Sequence, residues 1–194
     1  MTIPRTIVKQ KKKISWTTFE KKYLSREDSY RYEWLDGIIE KTKKMNKQQL
    51  FILTNLKRHF RLLKNKIKIK GELYPEADLF FKKHHRRPDV CWLTDEEVNQ
   101  LIGEDNPVPS FVIEIISSND ILNKVEHKMN DYRLAGVRTV WHIFPKYKSV
   151  HVYTGKKLEN MKVHTDEMIC SAVLGEKKFE MKTAAIFRLL SEKK

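Results

Sequence analysis

The feature that most constrains the fold is an apolar run that carries a single carboxylate. Residues 111–116 read Phe-Val-Ile-Glu-Ile-Ile, so Glu114 has apolar neighbours on both sides. A short run of this composition is typical of a strand that is buried on both faces. An isolated carboxylate there costs several kcal/mol in desolvation unless a cation or hydrogen-bond donors meet it. A core ion pair, or a strand end that reaches solvent, would meet this need as well as a functional site.

A second carboxylate opens the preceding predicted strand. Asp89 follows Pro88 and stands directly before an apolar run that ends at Leu93. Two carboxylates on neighbouring strands, with the backbone carbonyl of Ile115 between them, are hard oxygen ligands suited to Mg²⁺ or Mn²⁺. Such an ion polarises a phosphodiester and neutralises charge in its transition state. The alternative for Asp89 is a turn-capping residue after the proline.

Apolar periodicity, capping residues and turn residues predict the other elements. Thr17 with Glu20, and Thr94 with Glu97, have the spacing of a capping box at a helix start. Helices are predicted near 17–24, 46–63, 121–135 and 183–190, and the second capping box predicts a further helix start at Thr94. Strands are predicted on both sides of the Asp36-Gly37 turn and at 67–69, 77–81, 88–93, 110–117, 137–143 and 149–153.

The charge of the chain favours a polyanionic partner. Lysine and arginine number 39 against 25 aspartate and glutamate, which gives a formal net charge of +14 and a pI near 9.7. Such a field attracts phosphate backbones, although a merely lysine-rich, solvated surface has the same composition. The predicted nucleic-acid contacts are the outer face of the 46–63 helix and a basic loop after His84-His85. They are Lys57, Arg58, Arg61, Lys64, Arg86 and Arg87.

The length of 194 residues and a hydrophobic fraction of 40% predict one folded domain over 15–194, preceded by a basic arm over 1–14. Cys91 and Cys170 lie in separate apolar stretches, so both are expected to be reduced and buried. The first residues have no apolar leader segment, and the best apolar run is interrupted by Glu114. We therefore expect a cytoplasmic protein without a membrane segment.

Four strings of residues resemble one known family. They are 32–37 (YEWLDG), 87–90 (RPDV), 113–117 (IEIIS), and the stretch from Lys128 through Tyr132 to Ala135-Gly136-Val137. Their order and spacing are similar to those of the Uma-type family of predicted bacterial endonucleases, a branch of the PD-(D/E)XK superfamily. The combination, over about Trp16 to Tyr153, is far more specific than any one motif. The resemblance implies a restriction-endonuclease-like α/β (α+β) core, with a mixed central sheet flanked by helices.

The resemblance also implies roles for individual residues. It assigns the metal and water site to Asp89, Glu114 and Lys128, with Glu33 and Tyr132 as auxiliary residues. The superfamily's usual lysine position, two after the glutamate, is Ile116 here, and the lysine of this branch comes from the following helix. Taken alone, Lys128 would be expected to be a solvated surface lysine, and Glu33 could equally shape the hairpin.

Several auxiliary positions depart from the family pattern. A histidine common at the start of the first core helix is replaced by Gln48 or Gln49, an aspartate before the moved lysine is Lys124, and an Asp-Pro ending is Phe144-Pro145.

The leading hypothesis is an endonuclease that hydrolyses DNA with Mg²⁺ or Mn²⁺. The first alternative is a catalytically degenerate member that binds nucleic acid or protein. A third possibility is a different phosphorylated substrate.

Two further expectations concern geometry. Lys124 and Lys128 are one helical turn apart, and Lys128 is expected to approach both carboxylates while Lys124 points toward solvent or a nucleic-acid backbone. A homodimer would suit cleavage of both strands of a duplex, although no motif specifies one.

Overall fold

The structure, a computed structural model, describes residues 12–103, 105–117 and 120–189. Most of the predicted arm therefore lies outside the described residues. Its last residues contact the first hairpin, because Lys13 pairs with Asp36 at 3.3 Å and the Ile14 amide donates to the Gly37 carbonyl at 2.9 Å. In the described part of the chain, no helix combines the length and the apolar character needed to cross a membrane.

The element bounds follow the predicted pattern in most of the chain. The helices are α1 (Trp16–Phe19), α2 (Lys47–Ile67), α3 (Asp95–Ile102), α4 (Leu122–Ala135) and α5 (Thr183–Ile186). The strands are β1 (Tyr30–Leu35), β2 (Ile38–Lys43), β3 (Glu72–Pro75), β4 (Leu79–Phe81), β5 (His84–Arg86), β6 (Val90–Leu93), β7 (Phe111–Ile115), β8 (Thr139–Phe144), β9 (Ser149–Thr154), β10 (Asn160–Thr165), β11 (Ile169–Leu174) and β12 (Lys177–Lys182). A π-helical turn, Glu20–Leu24, continues α1.

The central sheet has six strands in the order β10-β9-β8-β7-β6-β3. Strands β7 and β8 are parallel, and the remaining neighbours are antiparallel, so the predicted mixed sheet is confirmed. A second sheet has the order β2-β1-β5-β4, and β11 with β12 forms a hairpin. Asp36 and Gly37 join β1 to β2 with φ of 46° and 97°, the two positive values that a tight two-residue hairpin needs.

Each face of the central sheet packs on its own layer. On one face, Ile113 and Trp141 pack with α2, the β11–β12 hairpin and α5. On the other face, Val112 and Val140 pack with α4 and β4 through Met129. Since side chains alternate along a strand, Glu114 points to the face that α4 covers.

Four local predictions were wrong. Ser15, not Thr17, caps α1, because its side chain accepts the amide hydrogen of Thr18. Residues 67–69 are not a strand, since α2 runs to Ile67 and Lys68 ends it with φ of 56°. The last helix stops at Ile186, before the predicted end. The predicted loop after residue 83 is strand β5.

Other predictions were confirmed. Asn46 caps α2 and forms a capping box with Gln49, and Thr94 does the same for α3. Helix α4 ends at Gly136, whose φ is 91°. All five residues of β7 are buried, and both cysteines are buried and free.

Candidate active site

The two predicted ligands meet at one end of the β6–β7 pair. These strands are antiparallel, with Val90 opposite Ile113 and Cys91 opposite Val112. Asp89 directly precedes β6 and Glu114 is the next residue of β7, so the alternation places both at the same end and on the same face. Their relative exposures are only 2% and 5%. Two buried carboxylates therefore lie together beneath α4.

The two oxygens of Asp89 have different surroundings. Oδ2 accepts a hydrogen bond from the Ile115 amide at 2.7 Å. Oδ1 lies 2.7 Å from Nη1 of Arg31, at an angle that is not that of a hydrogen bond, so this buried oxygen has no hydrogen-bond partner. The carbonyl of Ile115 accepts from Nε2 of Gln49 at 3.0 Å. Gln49 thus links the start of α2 to the end of β7.

Helix α4 supplies the partners of Glu114. Lys128 Nζ lies 3.3 Å from both carboxylate oxygens, and the Tyr132 hydroxyl, one helical turn further, donates to Oε1. The same Nζ lies 3.1 Å from Oε1 of Glu33. Lys124 instead lies 3.7 Å from Glu40 and is much more exposed. The structure therefore brings Lys128 to Glu114, one of the two carboxylates that it was expected to approach, and places Lys124 beside Glu40. The roles of both lysines in the chemistry stay predictions.

The two acids near Lys128 differ in their protonation. Burial raises the pKa of Glu114 to about 7; Lys128 acts against this shift and the charge of Asp89 reinforces it. Burial also acts to raise the pKa of Glu33, but Lys128 and Arg86 outweigh it and lower the value to about 2. Glu33 is thus ionised throughout the neutral pH range. Glu114 is ionised less readily, because its cationic partners do not outweigh its burial and the charge of Asp89.

Arg86 is the centre of an ion-pair cluster that sequence analysis missed. Its guanidinium contacts Glu33 at 3.0 Å, Asp131 at 2.7 Å and Glu40 at 3.5 Å, and the residue is only 1% exposed. The predicted contact of Arg86 with nucleic acid does not fit this burial. The adjacent Arg87 pairs with Asp78 and with the Leu24 carbonyl.

Arg31 is a residue of the site that sequence analysis did not name. Its Nη1 lies 2.7 Å from Asp89 and 3.2 Å from Glu76, and its Nε donates to the Thr42 hydroxyl at 3.1 Å. Arg31 precedes Glu33 by two positions on β1, so both side chains leave the strand on the same face. That spacing is the signal that would have connected Arg31 to the site.

The donor set fits a divalent cation. Among the described residues, ion pairs link six carboxylates at or around the site with four cationic side chains, with His84 counted as neutral. The carboxylates are Glu33, Glu40, Glu76, Asp89, Glu114 and Asp131, and the cations are Arg31, Arg86, Lys124 and Lys128. When all six acids are ionised, two negative charges are left without a counter-charge, and Asp89 Oδ1 is a buried oxygen without a hydrogen bond.

The same donors limit which metals fit. In the described ranges, no group of three or more His, Cys, Asp or Glu side chains is arranged to hold a metal ion. Side chains alone thus offer at most the two carboxylates of Asp89 and Glu114 here, and the carbonyl of Ile115 is the neighbouring backbone oxygen. A small all-oxygen set suits Mg²⁺, which keeps several waters and binds through one or two carboxylates.

The basic outer face of α2 lies apart from this cluster. Lys57, Arg58 and Arg61 are exposed and, with Thr54 and Leu62, line a shallow open groove. Lys64 is less exposed and is ion-paired with Glu72. Within the part of the chain that the structure describes, no ion pair joins these residues to a carboxylate of the site.

Comparison with known proteins connects this geometry to a family. The crystal structure of a putative nuclease belonging to DUF820 from Anabaena variabilis ATCC 29413 superposes with a TM-score of 0.72 at 17% sequence identity. The match covers 90% of this chain and 97% of that chain, which confirms the restriction-endonuclease-like fold. None of the curated proteins compared with the chain matches it. The family model Uma2, described as a putative restriction endonuclease, matches residues 16–182, which include β6, β7 and α4 with their acidic and lysine side chains. The chain therefore belongs to the Uma2 family of putative restriction endonucleases.

Proposed function

We propose that this chain is a divalent-metal-dependent endonuclease that hydrolyses phosphodiester bonds of DNA, with Mg²⁺ or Mn²⁺ as cofactor. The observation that carries the proposal is the meeting of Asp89, Glu114 and Lys128 at one end of the β6–β7 pair. Membership of the Uma2 family supports a nuclease activity. The net charge of +14 supports a nucleic-acid substrate.

The ligands proposed for the metal are Asp89 through Oδ1, Glu114 and the carbonyl of Ile115. When bound, the ion polarises the scissile phosphate and activates the attacking water. Glu114 suits this role because its partners leave it short of positive charge. Tyr132 fixes one Glu114 oxygen, and Gln49 fixes the carbonyl of Ile115.

Lys128 is proposed to act as a cation and not as a base. Burial acts to lower the pKa of Lys128, but Glu114 and Glu33 outweigh burial and raise it, so the ammonium stays protonated. Held 3.3 Å from Glu114, it is placed to orient water and to stabilise negative charge that develops on the phosphate. Glu33 holds the ammonium from the other side at 3.1 Å.

The nucleic-acid path is proposed to run over the segment that joins β2 to α2. The exposed lysines from the end of β2 to the start of α2, called the site-proximal set, are Lys41, Lys43, Lys44 and Lys47. Lys44 and Lys47 lie between two residues with site contacts, Thr42 through Arg31 and Gln49 through the Ile115 carbonyl. Lys41 and Lys43 leave β2 on the face opposite Thr42 and extend the exposed basic surface there. The α2 face of Lys57, Arg58, Arg61 and Lys64 stays a second predicted contact surface.

The two surfaces form a matched experiment. Changing either set of four basic residues to glutamine removes the same charge. We expect replacement of the site-proximal set to lower DNA affinity more than replacement of the α2 set. The slope of log K against log salt concentration should become shallower by about 0.9 for each phosphate contact that is lost. Unchanged affinity in both variants would argue against a phosphate-tracking surface.

The activity test uses the full chain with duplex and single-stranded DNA in Mg²⁺ or Mn²⁺. Nicking or cleavage is expected, and Asp89→Ala and Glu114→Ala should abolish it. Lys128→Ala should remove turnover with DNA binding largely retained, whereas the matched variant Lys124→Ala should mainly weaken binding. Activity that survives a chelator, or that persists equally in both carboxylate variants, would refute the mechanism. A homodimer stays a prediction that sedimentation can test.

A degenerate binder is the second candidate, and one observation favours it. Arg31 and Gln49 already contact two of the proposed metal ligands, Asp89 and the carbonyl of Ile115. If the protein binds DNA but binds no Mn²⁺ and cleaves no substrate, this candidate replaces the first.

A further inference from the structure

We propose that Arg31 is a positioning residue that competes with the divalent cation for Asp89 and thereby sets the metal affinity of the site. The inference rests on the proposed function, because it assumes that Asp89 is a metal ligand. The charge of Arg31 opposes binding of the metal ion. When no metal is bound, the same charge holds Asp89 in place.

The competition follows from the atom that Arg31 contacts. Oδ2 of Asp89 is used by the Ile115 amide, so Oδ1 is the oxygen left for a metal. Nη1 of Arg31 lies 2.7 Å from that same oxygen. Two cations that share one buried oxygen repel each other strongly, because screening by water is weak there.

The guanidinium of Arg31 is held in a position from which it can release Asp89 and still keep other partners. Its Nε donates to Thr42 and its Nη1 also lies 3.2 Å from Glu76. Glu76 is more exposed than Asp89, with a side-chain exposure of 26% against 3%. A small rotation of the guanidinium toward Glu76 would release Asp89 while Arg31 keeps a carboxylate partner. Arginine suits this position because it stays charged and has several donors in a rigid fork.

Metal affinity tests the proposal without any need for turnover. Mn²⁺ binding to the full chain is measured by titration calorimetry and by electron paramagnetic resonance of free Mn²⁺. Arg31→Ala is expected to bind Mn²⁺ about tenfold more tightly or better. The matched control is Lys124→Ala, which removes an equal charge near the site but contacts Glu40 and not Asp89. A change below about threefold is expected for the control, since it reports only the general field.

Chemical rescue distinguishes competition from a structural effect. Arg31→Ala leaves space for free guanidinium, which at a low, non-denaturing concentration should weaken Mn²⁺ binding by the variant. The same concentration of sodium chloride should not weaken Mn²⁺ binding by the variant. With the wild-type chain, the two salts should have the same effect on Mn²⁺ affinity. If Arg31→Ala does not fold, Arg31→Lys and Arg31→Gln serve instead. The first of these keeps the positive charge, so its Mn²⁺ affinity should stay within about threefold of the wild type, and the neutral variant Arg31→Gln, which keeps part of the side chain, should show the rise.

The outcomes separate this inference from the proposed function. Tighter binding by the neutral Arg31 variants, lost again on adding Asp89→Ala, supports it. If the wild type binds Mn²⁺ through Asp89 but the neutral Arg31 variants bind equally or more weakly, the competition is overturned while the metal site stands. If Mn²⁺ does not bind, or binds equally after Asp89→Ala, both this inference and the proposed metal site are overturned.

Discussion

The buried ion-pair cluster predicts a large difference between two neighbouring arginines. Arg86 is 1% exposed and pairs with Glu33 and Asp131, which are also buried. Arg87 pairs with Asp78, whose side chain is 41% exposed. Replacing each arginine by methionine keeps much of the side-chain length and removes one charge. The two variants therefore compare a buried ion pair with a partly exposed one in the same strand region.

The magnitudes follow from what each change leaves behind. Arg86→Met leaves carboxylates buried with fewer partners, and breaking a buried pair in this way costs about 3–5 kcal/mol. The lower end is expected, since Glu33 keeps Lys128 and the Arg87 amide, and Asp131 keeps His84. Arg87→Met removes a partly exposed pair and one hydrogen bond, which together are worth about 1–2 kcal/mol.

The assay is urea unfolding at pH 7, followed by circular dichroism. With a slope of about 2 kcal/mol per molar urea, the midpoint should fall by about 1.5 M for Arg86→Met and by less than about 1 M for Arg87→Met. High salt should shrink only the Arg87 loss, because screening acts on exposed charges. Adding Asp131→Asn to Arg86→Met should recover part of the loss. Equal losses for the two arginines, or no recovery, would refute the reasoning.

Three further predictions concern the site. Glu114→Gln should stabilise the metal-free chain at pH 8 by about 1–3 kcal/mol and hardly at all at pH 5. The reason is that the pKa of Glu114 is raised from 4.5 to about 7 in the folded state, so that the protonated form favours folding. This contribution to stability is lost as pH rises through 7. Urea unfolding between pH 5 and pH 8 in the presence of a chelator measures the effect. Tyr132→Phe removes the hydroxyl that donates to Glu114 and should cost about 1–3 kcal/mol at pH 8, with a smaller loss at pH 5, in the same assay. Glu33→Gln should lower stability at neutral pH, because a pKa held near 2 gives stability that is present above 4.5 and is lost only as pH falls toward 2; a loss that does not shrink in acid would contradict it.

The parts of the fold that sequence predicts are those with strong local signals. The Asp36-Gly37 hairpin follows from residues that tolerate positive φ, and α4 follows from its periodicity and from Gly136 at its end. Strand β7 follows from its continuous apolar run. In each case the deciding interaction lies within a few residues of the chain.

The errors occur where distant residues decide the structure. Four consecutive basic residues after residue 83 are typical of a solvated loop, yet His85 and Arg86 are buried in β5. Arg86 is tolerated there because Glu33 and Asp131, far away in sequence, supply its counter-charges. Periodicity contains no information about such partners. Similarly, Leu50 fits the apolar stripe of α2 but is 56% exposed, which periodicity alone did not predict.

The site was predictable only in its outline. Glu114 and Asp89 could be proposed from strand position alone, whereas Lys128 required the resemblance to a family, because one lysine among so many has no local signal. Arg31 and Gln49 were not assigned to the site. Their contacts with Asp89 and the carbonyl of Ile115 depend on how β1 and α2 pack against the central sheet.

Placing the lysine on a helix, and not two residues after the glutamate on the strand, changes what the site depends on. A lysine on β7 would be positioned by the sheet itself, whereas Lys128 is positioned by the packing of α4 on that sheet. The same helix contacts the second sheet, since Lys128 pairs with Glu33 and Asp131 pairs with Arg86. Helix α4 therefore connects both sheets through charged groups at the site and through Met129 in the core. A cavity beneath α4, as in Met129→Ala, is expected to disturb the Lys128–Glu114 distance, because Met129 packs the helix that carries Lys128 onto the core of the sheet.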